Sequence, residues 1–458
     1  MAERLEIVEK ALLKMLEEKK YATLRDILVT MNPSDIAALL ADLEENQIPL
    51  MFRLLPKEQA AETFVEMEPD AQELLIRSFS DNELKEVVDE LYVDDATALI
   101  EEMPANVVKR ILHQATPEMR NTINQILRYP DNSAGSMMTT EYVTLRPDMT
   151  VEESILRIRR QGVDKETIYT CYVTQDRTLV GLVTVKDLLL TTDDETKIRD
   201  IMLTNLISVT THADQEEVAK MFSKYNFLAL PVVDGENRMV GIVTFDDAMD
   251  VLEDEATEDM ELMGGMLPSE KTYLKSTVFE LFKNRIPWLL LLMISATFTG
   301  LIITSFEDAL AAQVALTAFI PMLMGTGGNS GSQSSVTVIR ALSLDELKFA
   351  DIGRVIWKEL RTAILCGIAL AVVCFVKIWL IDHLLMNNQS ITVMVDLVVC
   401  LALCVTVIAA KAVGGVLPMV AKKLGADPAV MASPFITTIV DALSLLVYFL
   451  FAKALLGV

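Results

Sequence analysis

Pro321-Met322-Leu323-Met324-Gly325-Thr326-Gly327-Gly328-Asn329-Ser330-Gly331-Ser332-Gln333 is a run of small and polar residues inside a long apolar stretch. A helix facing lipid would not bring Thr326, Asn329, Ser330, Ser332 and Gln333 so close together. A polar side chain at that depth costs several kcal/mol, roughly, unless it faces protein or a water-filled path. The glycines let neighbouring helices approach closely and leave backbone carbonyls free to face a cavity. Tight helix packing would use the same small residues and is the plainer alternative.

The run lies in the second of five segments of bilayer-spanning length, near residues 287–305, 310–338, 355–380, 391–420 and 430–456. Lys283 and Arg285 precede the first. Arg340, Lys348, Arg354, Lys358 and Arg361 fall between the second and third, and Lys422 and Lys423 between the fourth and fifth. The opposite loops hold Glu307, Asp308, Asp382 and His383 and no Lys or Arg. The positive-inside rule then makes the N-terminus cytosolic, and an odd number of spans puts the C-terminus outside. The expected location is the cytoplasmic membrane, with the lipid bilayer around residues 286–458.

Charge divides the chain in two. Its formal net charge is −25, yet residues 286–458 carry ten Lys/Arg and ten Asp/Glu, so the whole excess lies ahead of them. An acidic front of that size repels nucleic acid and attracts cations. The start, Met1-Ala2-Glu3-Arg4-Leu5-Glu6, is charged, so no signal peptide is expected. Cys171, Cys366, Cys374, Cys400 and Cys404 have neither disulfide nor zinc-ribbon spacing, and four of them lie in apolar spans.

Within residues 1–130 helix-start signals recur near Pro56, Pro69, Asp81, Val93, Pro104 and Pro117. Pro in a first turn followed by acids, as in Pro56-Lys57-Glu58 and Pro117-Glu118, marks helix N-termini. The spacing predicts a superhelix of short helices. A duplication follows. Leu179-Val180-Gly181-Leu182-Val183-Thr184-Val185-Lys186-Asp187 recurs as Met239-Val240-Gly241-Ile242-Val243-Thr244-Phe245-Asp246-Asp247. With Met138 and Met202 ahead of each copy, residues 137–196 and 201–252 resemble a tandem pair of CBS domains. That resemblance implies an α/β pair in which Thr184 with Asp187, and Thr244 with Asp247, touch an adenine nucleotide such as ATP. A purely structural, dimer-forming pair is the other reading, and basic residues for a triphosphate are sparse in the second copy.

Residues 246–275 predict a dense acidic helix that connects to the first span and ends at Gly264-Gly265. Like-charged neighbours such as Asp254/Glu258 and Glu255/Asp259 repel at i,i+4 spacing. Most charge runs are solvated faces, but carboxylate oxygens in such numbers also suit hard divalent cations.

In this order (all-α superhelix, CBS pair, acidic connecting helix, five-helix transmembrane domain over 286–458) the chain resembles the MgtE family of magnesium channels. Pro321–Gln333 carries the resemblance most specifically, with Pro434-Phe435-Ile436-Thr437-Thr438-Ile439-Val440-Asp441 beside it. The resemblance implies a homodimer with a pore on its two-fold axis, Mg²⁺ as the ion carried, closure by cytosolic Mg²⁺, and a connecting helix that plugs the pore. Mn²⁺, Co²⁺ and Ni²⁺ compete for the same oxygen ligands. It also implies regulatory metal ligands at Asp95, Glu216, Asp247, Asp250, Glu255, Glu258, Asp259 and Asp427. The family pattern has an acid where Asn226 stands and Asn where Ser433 stands.

Asp441 is read from the residues as well. It lies about a dozen residues into the fifth span, near mid-bilayer at about 1.5 Å per residue, where a carboxylate is by default functional. Pairing with Lys411 is the structural alternative. Two Asp441 carboxylates across a dimer axis would hold a proton or a divalent cation. Mg²⁺ sheds its water reluctantly, so two carboxylates suit a largely hydrated ion, with Thr437, Ser433 and, more weakly, Asn329 as further contacts. The main rival is an ion-coupled secondary carrier using Asp441, Asp396 and Lys411 as a relay. A membrane-tethered nucleotide sensor would need neither Asp441 nor the polar run. No nucleophile–base set accompanies His113, His212 and His383, so no enzyme is expected.

Overall fold

The computed structural model describes residues 11–16, 18–269, 273–274, 276–385 and 391–457, with Asp164 and Ser433 described by their backbone alone. It divides into two compact units, Met1–Glu253 and Asp254–Val458.

The first unit begins with short helices whose starts follow the caps in the sequence. Pro33, Pro69 and Pro117 occupy first turns, where a missing N–H costs nothing. Ser80 and Glu83 form a capping box at Asp81–Val88. Successive helices bury Leu40, Phe64, Leu75, Ile76 and Ile111 on one continuous core.

Two three-stranded sheets follow with one topology. In the first, β1 (Tyr142–Leu145) runs parallel to β2 (Thr167–Gln175), which pairs antiparallel with β3 (Thr178–Thr184). In the second, β4 (Val209–Thr210), β5 (Ala229–Val233) and β6 (Met239–Thr244) repeat that order. The copies interlock. Thr139, ahead of the first sheet, exchanges both backbone bonds with Ile242 of β6, at 2.8 and 2.9 Å, and Leu203 does the same with Leu182 of β3, at 3.0 and 2.9 Å. Gly241 and Gly181 admit this crossing, since a Cβ on either would lie 2.6 Å from the sulfur of Met138 or Met202. The duplicated Met and Gly are therefore one device used twice.

The acidic helix runs from Phe245 to Met263. It ends where expected: Gly265 has φ +70°, and its N–H donates to the Leu262 carbonyl at 2.9 Å.

In the second unit, four helices among the described residues are long and apolar enough to cross a membrane: Val278–Ser305, Phe349–Leu385, Val393–Lys423 and Pro428–Leu456. The expected second span is corrected. Instead of one segment over 310–338, the chain forms a helix at Glu307–Ala312, a 3₁₀ turn at Val314–Phe319, and a helix at Ile320–Ser343. Pro321 lacks an N–H and fits a first turn, so the helix restarts there. This polar helix has 24 residues, about 36 Å at 1.5 Å per residue, which is spanning length. The first span also starts earlier than expected, at Val278, because Thr277 and Glu280 form a capping box ahead of it.

The polar helix packs on the central helix Val393–Lys423 and on the closing helix Ser433–Leu456. Glycines set the spacing. A Cβ on Gly414 of the central helix would lie 2.2 Å from the Gly331 carbonyl oxygen, and one on Gly327 would lie 2.7 Å from Ser444 Oγ. Above this crossing, Leu323, Val399, Leu403 and Phe449 close an apolar core, and Tyr448 Oη donates to the Leu316 carbonyl at 2.9 Å.

Gly414→Ala therefore meets rigid backbone and should destabilise the membrane unit by about 2 kcal/mol or more. Gly353→Ala, with nothing within 4 Å of the added carbon, should be neutral or slightly stabilising. Thermal melting of the detergent-solubilised variants compares the two.

Candidate ion pathway and acidic cation sites

The polar helix has two faces. Gly327, Gly328, Ser330, Gly331, Ser334 and Ser335 are buried against its neighbours. Pro321, Gly325, Asn329, Gln333 and Thr337, at i,i+4 spacing, are exposed on the single chain. The glycine face meets the closing helix, where a Cβ on Gly328 would touch the Thr437 methyl at 3.0 Å and one on Gly331 would touch Val440 at 3.2 Å.

Thr437 and Asp441, one turn apart on the closing helix, are half-buried. Thr437 Oγ1 donates to the Pro434 carbonyl at 2.9 Å. The Asp441 carboxylate has no hydrogen-bond or ion-pair partner among the described residues. Its structural alternative fails, because Lys411 donates to Ser334 Oγ at 3.3 Å instead. The side chain of Ser433 lies outside the described residues.

The end of the acidic helix packs on the same unit. Leu262 is buried with Ile339, Ala429 and Ala432, and a Cβ on Gly265 would lie 2.9 Å from Pro434 Cγ. Ser343 Oγ donates to Asp259 Oδ2 at 3.3 Å. Asp427, exposed, accepts from the Ala429 N–H at 2.7 Å and so caps the turn before the closing helix. Glu255 is half-buried and Glu258 exposed.

In the first unit two acidic first turns come together. Asp94 and Asp95 open the helix Val93–Glu102, and Asp246 and Asp247 open the acidic helix. Helix N-termini favour negative charge, but here the charges crowd. Burial, then Asp247 and Asp246, push the Asp95 carboxyl up to about 7. Burial also raises Asp247 to about 6, against a hydrogen bond from Thr244 that lowers it. Asp94 is held well above the usual carboxylate range by burial, Asp247 and Asp95. Glu166, just ahead of β2, is pushed up to about 8 by burial and by Asp246, Asp95 and Asp247. Its Oε2 is buried without a hydrogen-bond partner.

The expected residues thus divide. Asp95 and Asp247 share one acidic cluster, and Asp250 acts on Asp247. Glu216 does not join them, being held by Lys220 at 2.6 Å in an i,i+4 ion pair. Sequence reading missed Asp94, whose signal was its place beside Asp95 in one first turn. It also missed Glu166, which only the fold brings to the cluster. Among the described residues no three acidic, imidazole or thiol groups form a ready-made metal-ligand set. The orphaned Glu166 oxygen and the mutual repulsion nevertheless fit a hard cation surrounded by water.

The two Thr-x-x-Asp motifs have a local role. Thr184 Oγ1 donates to Asp187 Oδ2 at 2.6 Å, and Asp187 N–H donates back to Thr184 Oγ1 at 3.1 Å, a capping box for Val185–Leu190. Thr244 Oγ1 donates to Asp247 Oδ2 at 2.5 Å in the second copy.

A helical membrane unit with a polar helix of spanning length, in one chain with an acidic helical module and a CBS pair, is the build of a cation transporter. A family model described as a divalent cation transporter matches residues 320–451, the MgtE intracellular N domain matches 31–132, and the CBS domain matches 134–191 and 198–254. Similar proteins include the magnesium transporter MgtE of Thermus thermophilus, 36% identical over 451 residues covering 97% of this chain and 98% of that one. Another is the magnesium transporter MgtE of Bacillus subtilis, 32% identical over 96% of this chain and 95% of that one. Among solved structures, the cytosolic domain of the Mg²⁺ channel MgtE in complex with ATP is similar to 53% of this chain, over 99% of its own length, at 36% identity and a TM-score of 0.51. The chain belongs to the MgtE family of magnesium transporters.

Asp95, Glu166 and Asp247 ionise less readily in the folded protein than in an unfolded chain. The folded state then holds more protons between about pH 4 and about 8, and stability falls as pH rises through that window. The melting temperature of cation-free protein should drop by several degrees, roughly, between about pH 5 and 9. Added Mg²⁺ should restore more of it at the higher pH. Glu166→Gln should flatten both trends in the same melting experiment.

Proposed function

We propose that this protein is a Mg²⁺-selective channel for magnesium uptake, closed by cytosolic Mg²⁺ acting on its acidic front. One observation carries the reading. A helix of spanning length keeps Asn329 and Gln333 exposed on the single chain, beside an intramembrane Asp441 that has no described partner. In a bilayer both features need water or protein over them. A second copy supplies that cover, so the working unit is a homodimer with the ion path between Asp441 of each protomer. Thr437, Ser433 and Asn329 contact the hydrated ion. The positive-inside pattern places it in the cytoplasmic membrane, with the acidic front in the cytosol and the C-terminus outside.

Closure follows from charge. Without cations the crowded carboxylates around Asp95 and Asp247 repel, as do Asp250, Glu255, Glu258 and Asp259 along the acidic helix, whose end packs at the start of the closing helix. Cations relieve that repulsion and favour the packed, closed arrangement, with Asp427 in the loop that Leu262 covers. A shift from 1:99 to 99:1 needs about 5.5 kcal/mol of differential binding, which several weak sites can share. Glu216 enters only by giving up Lys220. ATP at the CBS pair modulates this balance, in keeping with the ATP complex of the similar cytosolic domain. The carrier alternative would run its relay through Asp396, which is bonded to His383 at 2.9 Å, and Lys411, bonded to Ser334.

Unitary currents from full-length protein in bilayers should vanish as cytosolic-side Mg²⁺ rises from micromolar to millimolar. Asp441→Ala should abolish Mg²⁺ current. Asp250→Asn, Glu255→Gln and Glu258→Gln together should raise the closing Mg²⁺ concentration about tenfold or more, the loss of about 1.4 kcal/mol of closing energy. Uptake without unitary currents would make the protein a carrier.

A further inference from the structure

The membrane unit holds a second charge that the proposed ion path does not use. Lys411, on the central helix, is only 5% exposed. Its Nζ donates to Ser334 Oγ at 3.3 Å, and Ser334 Oγ donates to Glu359 Oε2 at 2.5 Å. One hydroxyl on the polar helix thus links an ammonium on the central helix to a carboxylate on Ile352–Lys377. The fit is built: Gly415 clears the way for Glu359, whose Cγ would lie 3.2 Å from a Cβ placed there.

Position gives the group its meaning. The Ala410 carbonyl and Val440 Cγ2 both lie 3.2 Å from where a Cβ on Gly331 would stand. Ala410 is the chain neighbour of Lys411, and Val440 that of Asp441. The ammonium is held at Ser334, three residues further along the polar helix than Gly331, so it sits behind that helix about one turn, roughly 4.5 Å, from the level at which Gly331 meets Val440, the neighbour of Asp441. A bare positive charge there would oppose a divalent cation, and would oppose it twice as strongly as a monovalent one.

We infer that Glu359, acting through Ser334, neutralises Lys411 and so lowers the barrier to divalent ions on the stretch of the path next to Asp441. Glu359 and Ser334 are positioning residues for this purpose, holding the polar helix in rotation and the ammonium in a compensated state. The inference rests on the ion path proposed above.

The test compares Mg²⁺ and Na⁺ fluxes of full-length protein in proteoliposomes. Glu359→Gln keeps an acceptor for Ser334 but removes the compensating charge. It should cut Mg²⁺ flux about tenfold and Na⁺ flux far less, because the barrier scales with ionic charge. Lys411→Met with Glu359→Gln removes both charges and should return Mg²⁺ flux to within about twofold of wild type, a coupling that independent sites would not show. If Glu359→Gln fails to fold, Lys411→Met, which leaves the Glu359 carboxylate unopposed, should shift the Mg²⁺-to-Na⁺ ratio the opposite way, upward. Equal losses of both ions, or a double variant no better than Glu359→Gln, overturn the inference and leave the ion path standing. Wild-type protein without Mg²⁺ flux overturns the ion path and the inference together.

Discussion

Every polar group placed among apolar helices must find protein, water or an ion to interact with, because hydrocarbon offers none. The membrane unit meets this constraint in two ways. Some charges have partners within the chain: Lys411 through Ser334 and Glu359, one oxygen of Asp396 through His383, Lys377 through Asp382 at 3.0 Å. Others are left open, namely Asp441 and the Asn329–Gln333 stripe. Satisfied groups brace helices. Open ones need protein, water or an ion beyond the single chain to cover them. The glycines on the opposite face of the polar helix make this possible, since they let it press against two neighbours while its polar edge stays uncovered.

The acidic front answers the same constraint with like charges. Asp94, Asp95, Asp247 and Glu166 are pushed toward their neutral forms by burial and by one another. Such a cluster stores unfavourable energy that a cation can release, and its depth makes it less screened than a surface pair. Asp246 and Asp247 open the helix Phe245–Met263, and just past its end a Cβ on Gly265 would meet Pro434.

Much of this was legible in residue order. Pro and acid starts placed the short helices to within a residue, and the Met…Gly duplication marked a pair of sheets with one topology. Local signals of this kind survive folding because caps and turns act over a few residues. What was not legible depends on long-range contact or on competing local chemistry. Apolar content suggested one second span, but the chemistry of Pro321 restarted the helix. Glu166 carries no motif and becomes part of a cluster only through β2. Glu216 carried a family expectation, and the fold pairs it with Lys220 four residues on. The Lys411–Asp441 pair was plausible by depth and failed because a closer hydroxyl, with Glu359 behind it, takes the ammonium.

The duplicated Thr-x-x-Asp motif shows how one local device acquires two settings. Both copies use it to cap a helix, with nearly the same Thr–Asp hydrogen bond. In the second copy, however, the Asp is Asp247, pressed by Asp246 and Asp250 and set against Asp94 and Asp95. A polyphosphate laid on that cap would meet concentrated negative charge, whereas a cation would relieve it. At Thr184 and Asp187 the flanking residue is the basic Lys186. The same cap therefore has a different electrostatic setting in each copy. The two settings are structurally linked, because the segment leading into each copy is bonded to the other copy's sheet.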